Sequence, residues 1–131
     1  MKKLIHPIII IISIVTLITG VTQILAPAFL LRLLGAEVSL ATIQIFGIIG
    51  MFIAIFGGML IHASLTSSFD ARAILWSSFQ KFGASLAIFA CIYTGLFAPI
   101  AAFAGVFELI SGLFFLYYLQ LYKKGPTKTV S

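Results

Sequence analysis

The chain has 131 residues, of which 62% are hydrophobic and 8% are charged, and its mean hydropathy is +1.23. Soluble domains are roughly 25% charged, so this composition excludes a protein with a full water-facing shell. The 8 basic and 3 acidic residues give a formal charge of +5, but five of the six lysines lie at the two chain ends. They do not form a basic patch interleaved with aromatic residues, which excludes a nucleic-acid-binding protein.

Four apolar stretches are each long enough to cross a bilayer, which takes about 20 helical residues. We place these spans at about residues 7–26, 40–65, 73–97 and 100–122, followed by a tail at 123–131. The sequence therefore predicts an all-α fold, an integral membrane four-helix bundle that forms one membrane domain over residues 1–131.

Prolines mark the ends of several predicted helices. Pro7 fits the first turn of the first span, where its missing N–H costs nothing, and Pro99 begins the fourth. Pro27 interrupts the first span, so residues 28–34 form a short helix that either lies in the interface or continues the first span after a kink. We expect Asp70 to cap the third span.

The basic residues near the span ends predict the orientation. One side of the membrane would hold Lys2, Lys3, Arg72, Lys123, Lys124 and Lys128, and the other side only Arg32. Basic residues concentrate on the cytoplasmic side, so we expect both termini to be cytoplasmic.

Small and polar residues recur on one face of three spans. The three stripes are Ser13, Thr16, Gly20, Gln23 and Pro27; Gly47, Gly50, Ala54, Gly57 and Gly58; and Ala101, Gly105, Glu108 and Gly112. Helices in lipid associate through close packing of small residues and through interhelical hydrogen bonds. We therefore expect the stripes to face the bundle interior, with helix contacts at Gly20, Gly47, Gly50, Gly57, Gly105 and Gly112.

Two charged residues, Lys81 and Glu108, lie deep inside predicted spans. An isolated carboxylate near the membrane centre is costly, so Glu108 should be protonated, paired or hydrated. An ion pair with Lys81 looks unfavourable, because the two Cα levels differ by roughly 7 Å and the side chains lean apart.

Two interpretations of these residues stay open. In the first, Lys81 extends to the cytoplasmic headgroups and Glu108 joins helices through a hydrogen bond with Gln23. In the second, Glu108 contacts a ligand headgroup or a proton, helped by Gln23 and Lys81.

The sequence predicts no catalytic residue, no cofactor and no metal site. Cys91 is the single cysteine, and the acids and histidines are spread over separate segments. We interpret His6 and His62 as polar residues near span ends. An enzyme is therefore not the expected class.

Several residues carry a resemblance to a known family: Gly20, Ala26-Pro27, Leu34-Gly35, the glycines Gly47, Gly50 and Gly57, and an acidic Glu108 in the last span. In this pattern the chain resembles the small four-helix bacterial membrane proteins grouped around the DoxX-like families. The resemblance implies a bacterial inner membrane, and for some family members a partnership with quinone-linked oxidoreductases.

Two functions follow as expectations. The first is an accessory or structural subunit of a larger membrane protein complex, whose apolar outer faces meet lipid, other membrane subunits or a second copy in a homo-oligomer. The alternative is a binder or carrier of a small hydrophobic molecule, a quinone or a lipid, or a proton-coupled exporter that uses an intramembrane carboxylate. Glu108 and Gln23 would then contact the polar part of the ligand.

Cysteines placed at Ser39 and at Ser131, in a protein carrying Cys91→Ala, test the number of spans and the orientation. We expect an impermeant thiol reagent to label position 39 from outside intact cells and position 131 only after the cells are opened. Labelling of both positions from one side would contradict an even number of spans.

Overall fold

The computed structural model describes residues 2–66 and 70–123. Its helices are α1 (Lys2–Leu25), α2 (Pro27–Leu33), α3 (Leu40–Leu65), α4 (Ala71–Tyr93) and α5 (Ala102–Lys123), with a 3₁₀ turn at Pro99–Ala101 before α5. Four of them are long and apolar enough to cross a membrane, and the described residues contain no strand. The predicted all-α four-helix membrane bundle is confirmed, and the chain is a multi-pass membrane protein.

Side-chain caps define the starts of α3 and α4. The Ser39 hydroxyl accepts a hydrogen bond from the Thr42 backbone N–H at 3.2 Å, and the Thr42 hydroxyl accepts one from the Ser39 N–H at 2.8 Å. Such a reciprocal pair satisfies two donors that a helix start leaves free. Asp70 caps α4 as predicted, since one carboxylate oxygen accepts from the N–H groups of Arg72 and Ala73.

The structure corrects three boundaries. The first helix starts at Lys2, so Pro7 lies inside α1 and not at its start. The third span was predicted to reach residue 97 but ends at Tyr93, because Gly95 takes a positive φ of 80° that stops the helix. Lys123 belongs to α5, and the rest of the predicted tail, with Lys124, Lys128 and Ser131, lies outside the described residues.

Helices α1 and α3 form a closely packed antiparallel pair. A Cβ added at Gly20 would lie 2.6 Å from the Gly50 carbonyl oxygen, and one at Gly57 would lie 2.6 Å from the Leu17 nitrogen. These glycines therefore let the two backbones approach more closely than any side chain would allow. Gly47 lies at the edge of this contact, with its nearest neighbour atom 4.0 Å from an added Cβ.

Helices α4 and α5 form the second antiparallel pair, and they add hydrogen bonds to close packing. The Ser78 hydroxyl donates to the Gly112 carbonyl at 3.0 Å, and the Ser85 hydroxyl donates to the Gly105 carbonyl at 2.8 Å. An added Cβ at Gly105 or Gly112 would touch a phenylalanine ring of α4, Phe89 or Phe82. Interhelical hydrogen bonds of this kind join helices where no water competes.

The two helical pairs meet around an apolar cluster at the end of the bundle that carries the chain termini. α1 contacts α5 there and α3 contacts α4. The cluster consists of Ile5, Ile9, Ile12, Leu60, Ile74, Phe115 and Leu119, all at most 7% exposed. This terminal cluster occupies only the half of the bundle near the chain termini.

The short helix α2 closes that opposite end. The chain leaves α1 at Ala26, whose φ and ψ of −137° and 56° break the helix, so α2 is a separate helix and not a continuation of α1. A positive φ of 71° at Gly35 ends α2, and the Leu34 carbonyl accepts the Ala98 N–H at 2.8 Å. The connection after α2 is thereby joined to the connection between α4 and α5.

Two adjacent glycines of α3 offer a matched test of this packing. Gly58 was expected on the interior stripe, which is wrong, because nothing lies within 4 Å of a Cβ added there. We expect Gly57→Ala to lower the midpoint of thermal unfolding in detergent, since the new methyl group must displace the α1 backbone. Gly58→Ala should leave the midpoint unchanged or raise it, because alanine favours a helix by about 1 kcal/mol over glycine. Equal effects of the two substitutions would contradict the α1–α3 contact.

Candidate functional site

The centre of the bundle is occupied by the side chain of Lys81, which is 0% exposed. Its Nζ lies 2.6 Å from the Thr16 hydroxyl oxygen, 3.0 Å from Oε2 of Glu108 and 3.1 Å from Oε1. Lys81 of α4 thus contacts α1 and α5 at once. We call Lys81, Glu108 and Thr16 the central triad.

The central triad is held by charge, by hydrogen bonds and by an aromatic ring. Lys81 donates one hydrogen bond to Thr16 and one to Glu108 Oε1, and its Nζ lies 5.6 Å from the centre of the Phe107 ring. A cation at that distance from a ring face is attracted by the ring quadrupole. Glu108 Oε2 is close to the ammonium but receives no directed hydrogen bond from the described residues.

Thr16 can accept from Lys81 because its own proton is used elsewhere. The Thr16 hydroxyl donates to the Ile12 carbonyl at 2.8 Å, which turns the oxygen lone pairs toward the bundle interior. A hydroxyl has one donor and two acceptor positions, so both contacts are satisfied together. Thr16 is 2% exposed, and these two contacts take the place of the hydrogen bonds that water would make to its hydroxyl.

The prediction that Lys81 extends to the cytoplasmic headgroups is wrong, and so is the prediction that an ion pair with Glu108 is unfavourable. The depth estimate treated both helices as perpendicular to the membrane and the side chains as rigid. The long lysine side chain instead turns inward, where Glu108 offsets the cost of burying its charge. The expected Glu108–Gln23 hydrogen bond does not form among the described residues, and Gln23 Oε1 has no partner.

A cavity of about 260 Å³ lies beside the triad, in the half of the bundle that α2 closes. Its wall is mainly apolar and draws on every helix: Thr19, Gln23, Leu30, Leu33, Leu34, Phe46, Ile53, Ala84, Ile88, Phe97, Ala104 and Glu108. Ligand pockets of proteins are typically apolar with a few polar groups, and hold about 300–1,000 Å³. This cavity lies just below that range and is suited to one ring system or part of a chain.

The polar part of the cavity wall consists of Glu108, Gln23 and Thr19. Glu108 links the cavity to the central triad, since its side chain belongs to both and is 17% exposed. Gln23 is 9% exposed, and its amide oxygen is buried without a hydrogen-bond partner in the described part of the chain. A buried acceptor left unsatisfied costs about 1–3 kcal/mol, so the wall lacks a donor.

The cavity opens sideways between α1 and α5. Thr19 of α1 and Ala104 of α5 both line it and are both exposed at the bundle surface. In a bilayer this opening faces lipid, so a molecule dissolved in the membrane can reach Glu108 without crossing water.

Across residues 2–66 and 70–123 no three His, Cys, Asp or Glu side chains group in a way that could hold a metal ion. The one lysine inside the bundle is engaged by a carboxylate and a hydroxyl, which leaves it no free lone pair for attack on a substrate.

The predicted site residues are brought together only in part. Lys81 and Glu108 touch, and Gln23 and Glu108 line one cavity, whereas Gln23 and Lys81 share no hydrogen bond among the described residues. Sequence reasoning missed Thr16 as the second partner of Lys81, although it had placed Thr16 on the inward stripe of α1. The sequence did contain a signal for this contact, because Lys81 lies inside one span and the Thr16 hydroxyl lies on the inward stripe of another.

Comparison with protein-family models, curated proteins and solved structures finds no match to this chain. The resemblance to the DoxX-like families therefore stays a prediction.

The pairing of Lys81 with Glu108 predicts strong coupling in a double-mutant cycle. Lys81→Met and Glu108→Gln should each lower the free energy of unfolding by about 3–5 kcal/mol, because each leaves a buried group without its partner. The double variant should lose clearly less than the sum, since neither charge is then left alone. Reversible unfolding in SDS and mild detergent measures all three values. Additive losses would contradict the ion pair.

The hydrogen bond from Lys81 to Thr16 has a matched control in α1. Thr16 and Thr22 both donate to the carbonyl four residues earlier, but only Thr16 also accepts from Lys81. We expect Thr16→Val to cost about 1 kcal/mol more unfolding free energy than Thr22→Val. The same SDS unfolding assay measures the difference. If the two variants are equally stable, the Thr16–Lys81 contact is not formed in the protein.

Proposed function

We propose that this protein binds a small, mainly apolar molecule that dissolves in the bilayer, and that it holds the molecule in the cavity beside Glu108. The observation that carries the proposal is the cavity itself: apolar on most of its wall, with Glu108, Gln23 and Thr19 at one side. Apolar surface with a few convergent polar groups is the usual composition of a ligand site. The sideways opening between Thr19 and Ala104 gives the ligand a route from lipid.

Other expected functions gain less support. The apolar outer faces of the helices are what lipid requires, so they do not favour an accessory or structural subunit over any other membrane protein. That hypothesis stays a prediction, and stoichiometric partners retained in mild detergent would support it. A proton-coupled exporter needs a carboxylate that can exchange its proton, whereas Glu108 is paired with the Lys81 ammonium. A quinone and a lipid both stay possible ligands, and a bacterial inner membrane with cytoplasmic termini stays the expected location.

Cavity filling tests the proposed binding. Ala84 lines the cavity, whereas Ala87, on the same helix, is exposed and is not part of this cavity's wall. We expect wild-type protein and Ala87→Phe, purified in mild detergent and extracted with solvent, to yield one small amphiphile in near-equimolar amount by mass spectrometry. Ala84→Phe should lose it, because the new ring occupies its space.

Thermal unfolding of the two variants controls for damage to the fold, since overpacking alone costs about 1–3 kcal/mol. The proposal is contradicted if wild type, Ala84→Phe and Ala87→Phe carry the same small molecules in the same amounts.

A further inference from the structure

We infer that the ligand carries a hydroxyl group, alcoholic or phenolic, which donates its hydrogen bond to Glu108 and lies against the Gln23 amide. This inference rests on the proposed function, because it names the chemistry of the molecule in the same cavity. It starts from the hydrogen-bonding groups that the cavity wall leaves unused.

Two residues of the wall carry an acceptor oxygen without a hydrogen bond. In the described ranges, Gln23 Oε1 is buried without a hydrogen-bond partner, and Glu108 Oε2 is buried 3.0 Å from the Lys81 ammonium without a directed hydrogen bond. Glu108 Oε1 differs, because it accepts a hydrogen bond from Lys81. The second carboxylate oxygen is therefore held by charge alone and can accept a hydrogen bond from a ligand. Buried polar groups in native proteins are nearly always paired, so two such acceptors in one wall point to a missing donor.

The charges beside Glu108 restrict which donor fits. Lys81 already neutralises the carboxylate at 3.0 Å, so a ligand cation would stand against the buried ammonium. An anionic head would meet the carboxylate itself. A carbonyl or ether only accepts hydrogen bonds, and a hydrocarbon offers none, so both would leave Glu108 Oε2 unsatisfied. A neutral hydroxyl donates one hydrogen bond and adds no charge.

Gln23 can complete the hydroxyl's second contact. Its side chain rests against Gly50, where a Cβ would lie 3.1 Å from Oε1. The last torsion of a glutamine side chain is soft and roughly two-fold, so the amide can turn either its oxygen or its NH₂ group to a neighbour. A hydroxyl accepts from the NH₂ group while it donates to Glu108. The single proton of the hydroxyl thus serves Glu108 Oε2, and Gln23 contributes its NH₂ group to the contact.

The rest of the cavity fits the apolar body of such a molecule. Away from Glu108 the wall is formed by Leu30 and Leu34 of α2, with Ile88 and Phe97. The hydroxyl therefore points to the middle of the membrane and the hydrocarbon to α2.

A matched pair of probes, 2-naphthol and 2-methoxynaphthalene, tests the inference. They share one ring system, but only 2-naphthol has a hydrogen to donate. Equilibrium dialysis of the full chain in detergent, against micelles of the same detergent, gives the affinity for each probe. We expect wild-type protein to bind 2-naphthol about tenfold more tightly than 2-methoxynaphthalene, as one buried hydrogen bond allows.

The variant Gln23→Met keeps the length of the side chain and removes its polar groups. It should weaken the binding of both probes by about threefold and keep the preference for 2-naphthol, because the hydroxyl and the ether oxygen both accept from the Gln23 NH₂ group, whereas only the hydroxyl donates to Glu108. Ala84→Phe should lose both probes. The comparison of the two probes on the unaltered protein does not depend on any variant folding.

The outcomes separate the two proposals. Equal affinity of wild type for both probes, together with loss of both in Ala84→Phe, overturns the hydroxyl and leaves the binding function standing. Affinities for both probes that Gln23→Met leaves unchanged overturn the assignment of Gln23. Binding of neither probe, or binding that Ala84→Phe leaves unchanged, overturns the binding function and the hydroxyl with it.

Discussion

The ammonium group of Lys81 is buried away from water, so the bundle itself must supply the groups that stabilise its charge. A charge at the middle of a bilayer is tolerated only where opposite charge and hydrogen-bond acceptors surround it. Glu108 supplies the charge from α5, and Thr16 supplies an acceptor from α1. Three of the four long helices are thereby fixed in rotation and height at one point. Any other rotation of α4 would expose the lysine to lipid or separate it from its partners.

The two helical pairs are built differently from the contact between them. In the α1–α3 pair, glycines bring the backbones together, whereas in the α4–α5 pair glycines lie against phenylalanine rings and serine hydroxyls of α4 donate to carbonyls of α5. Lipid is as apolar as a leucine side chain, so close packing and hydrogen bonds, not exclusion of water, decide which helices pair tightly. The two pairs contact each other at three places: the terminal cluster, the central triad, and the hydrogen bond from the Ala98 N–H to the Leu34 carbonyl. A cavity can persist there because no glycine stripe draws those faces together.

The number of spans and the residues of the α1–α3 contact could be predicted from the sequence, since length, hydropathy and small-residue spacing determine them. The partner of Lys81 could not, because a depth estimate along ideal helices ignores tilt and the reach of a lysine. One signal was present but unused: Ser78 and Ser85 are seven residues apart, as are Gly105 and Gly112. Matching intervals on antiparallel helices predict two hydrogen bonds at equal spacing. The cavity depends on side-chain volumes from five helices, which no single stretch of sequence contains.

Glu108 is the point at which the fold and the proposed function meet. One carboxylate oxygen accepts from Lys81 of the same helical pair, and the Lys81 ammonium donates to Thr16 of the other pair, while the second carboxylate oxygen receives no directed hydrogen bond from the described residues. A ligand donor at the second oxygen would change the charge that Lys81 experiences, so occupation of the cavity and the strength of the inter-pair contact are thermodynamically linked. Gly105 and Gly112 lie on the same face of α5 as this carboxylate, about one turn to either side of it, so the α4–α5 contact adjoins the cavity. The α1–α3 glycine contact involves neither Lys81 nor Glu108, so binding would act first on the α4–α5 pair and on its hydrogen bond to Thr16 of α1.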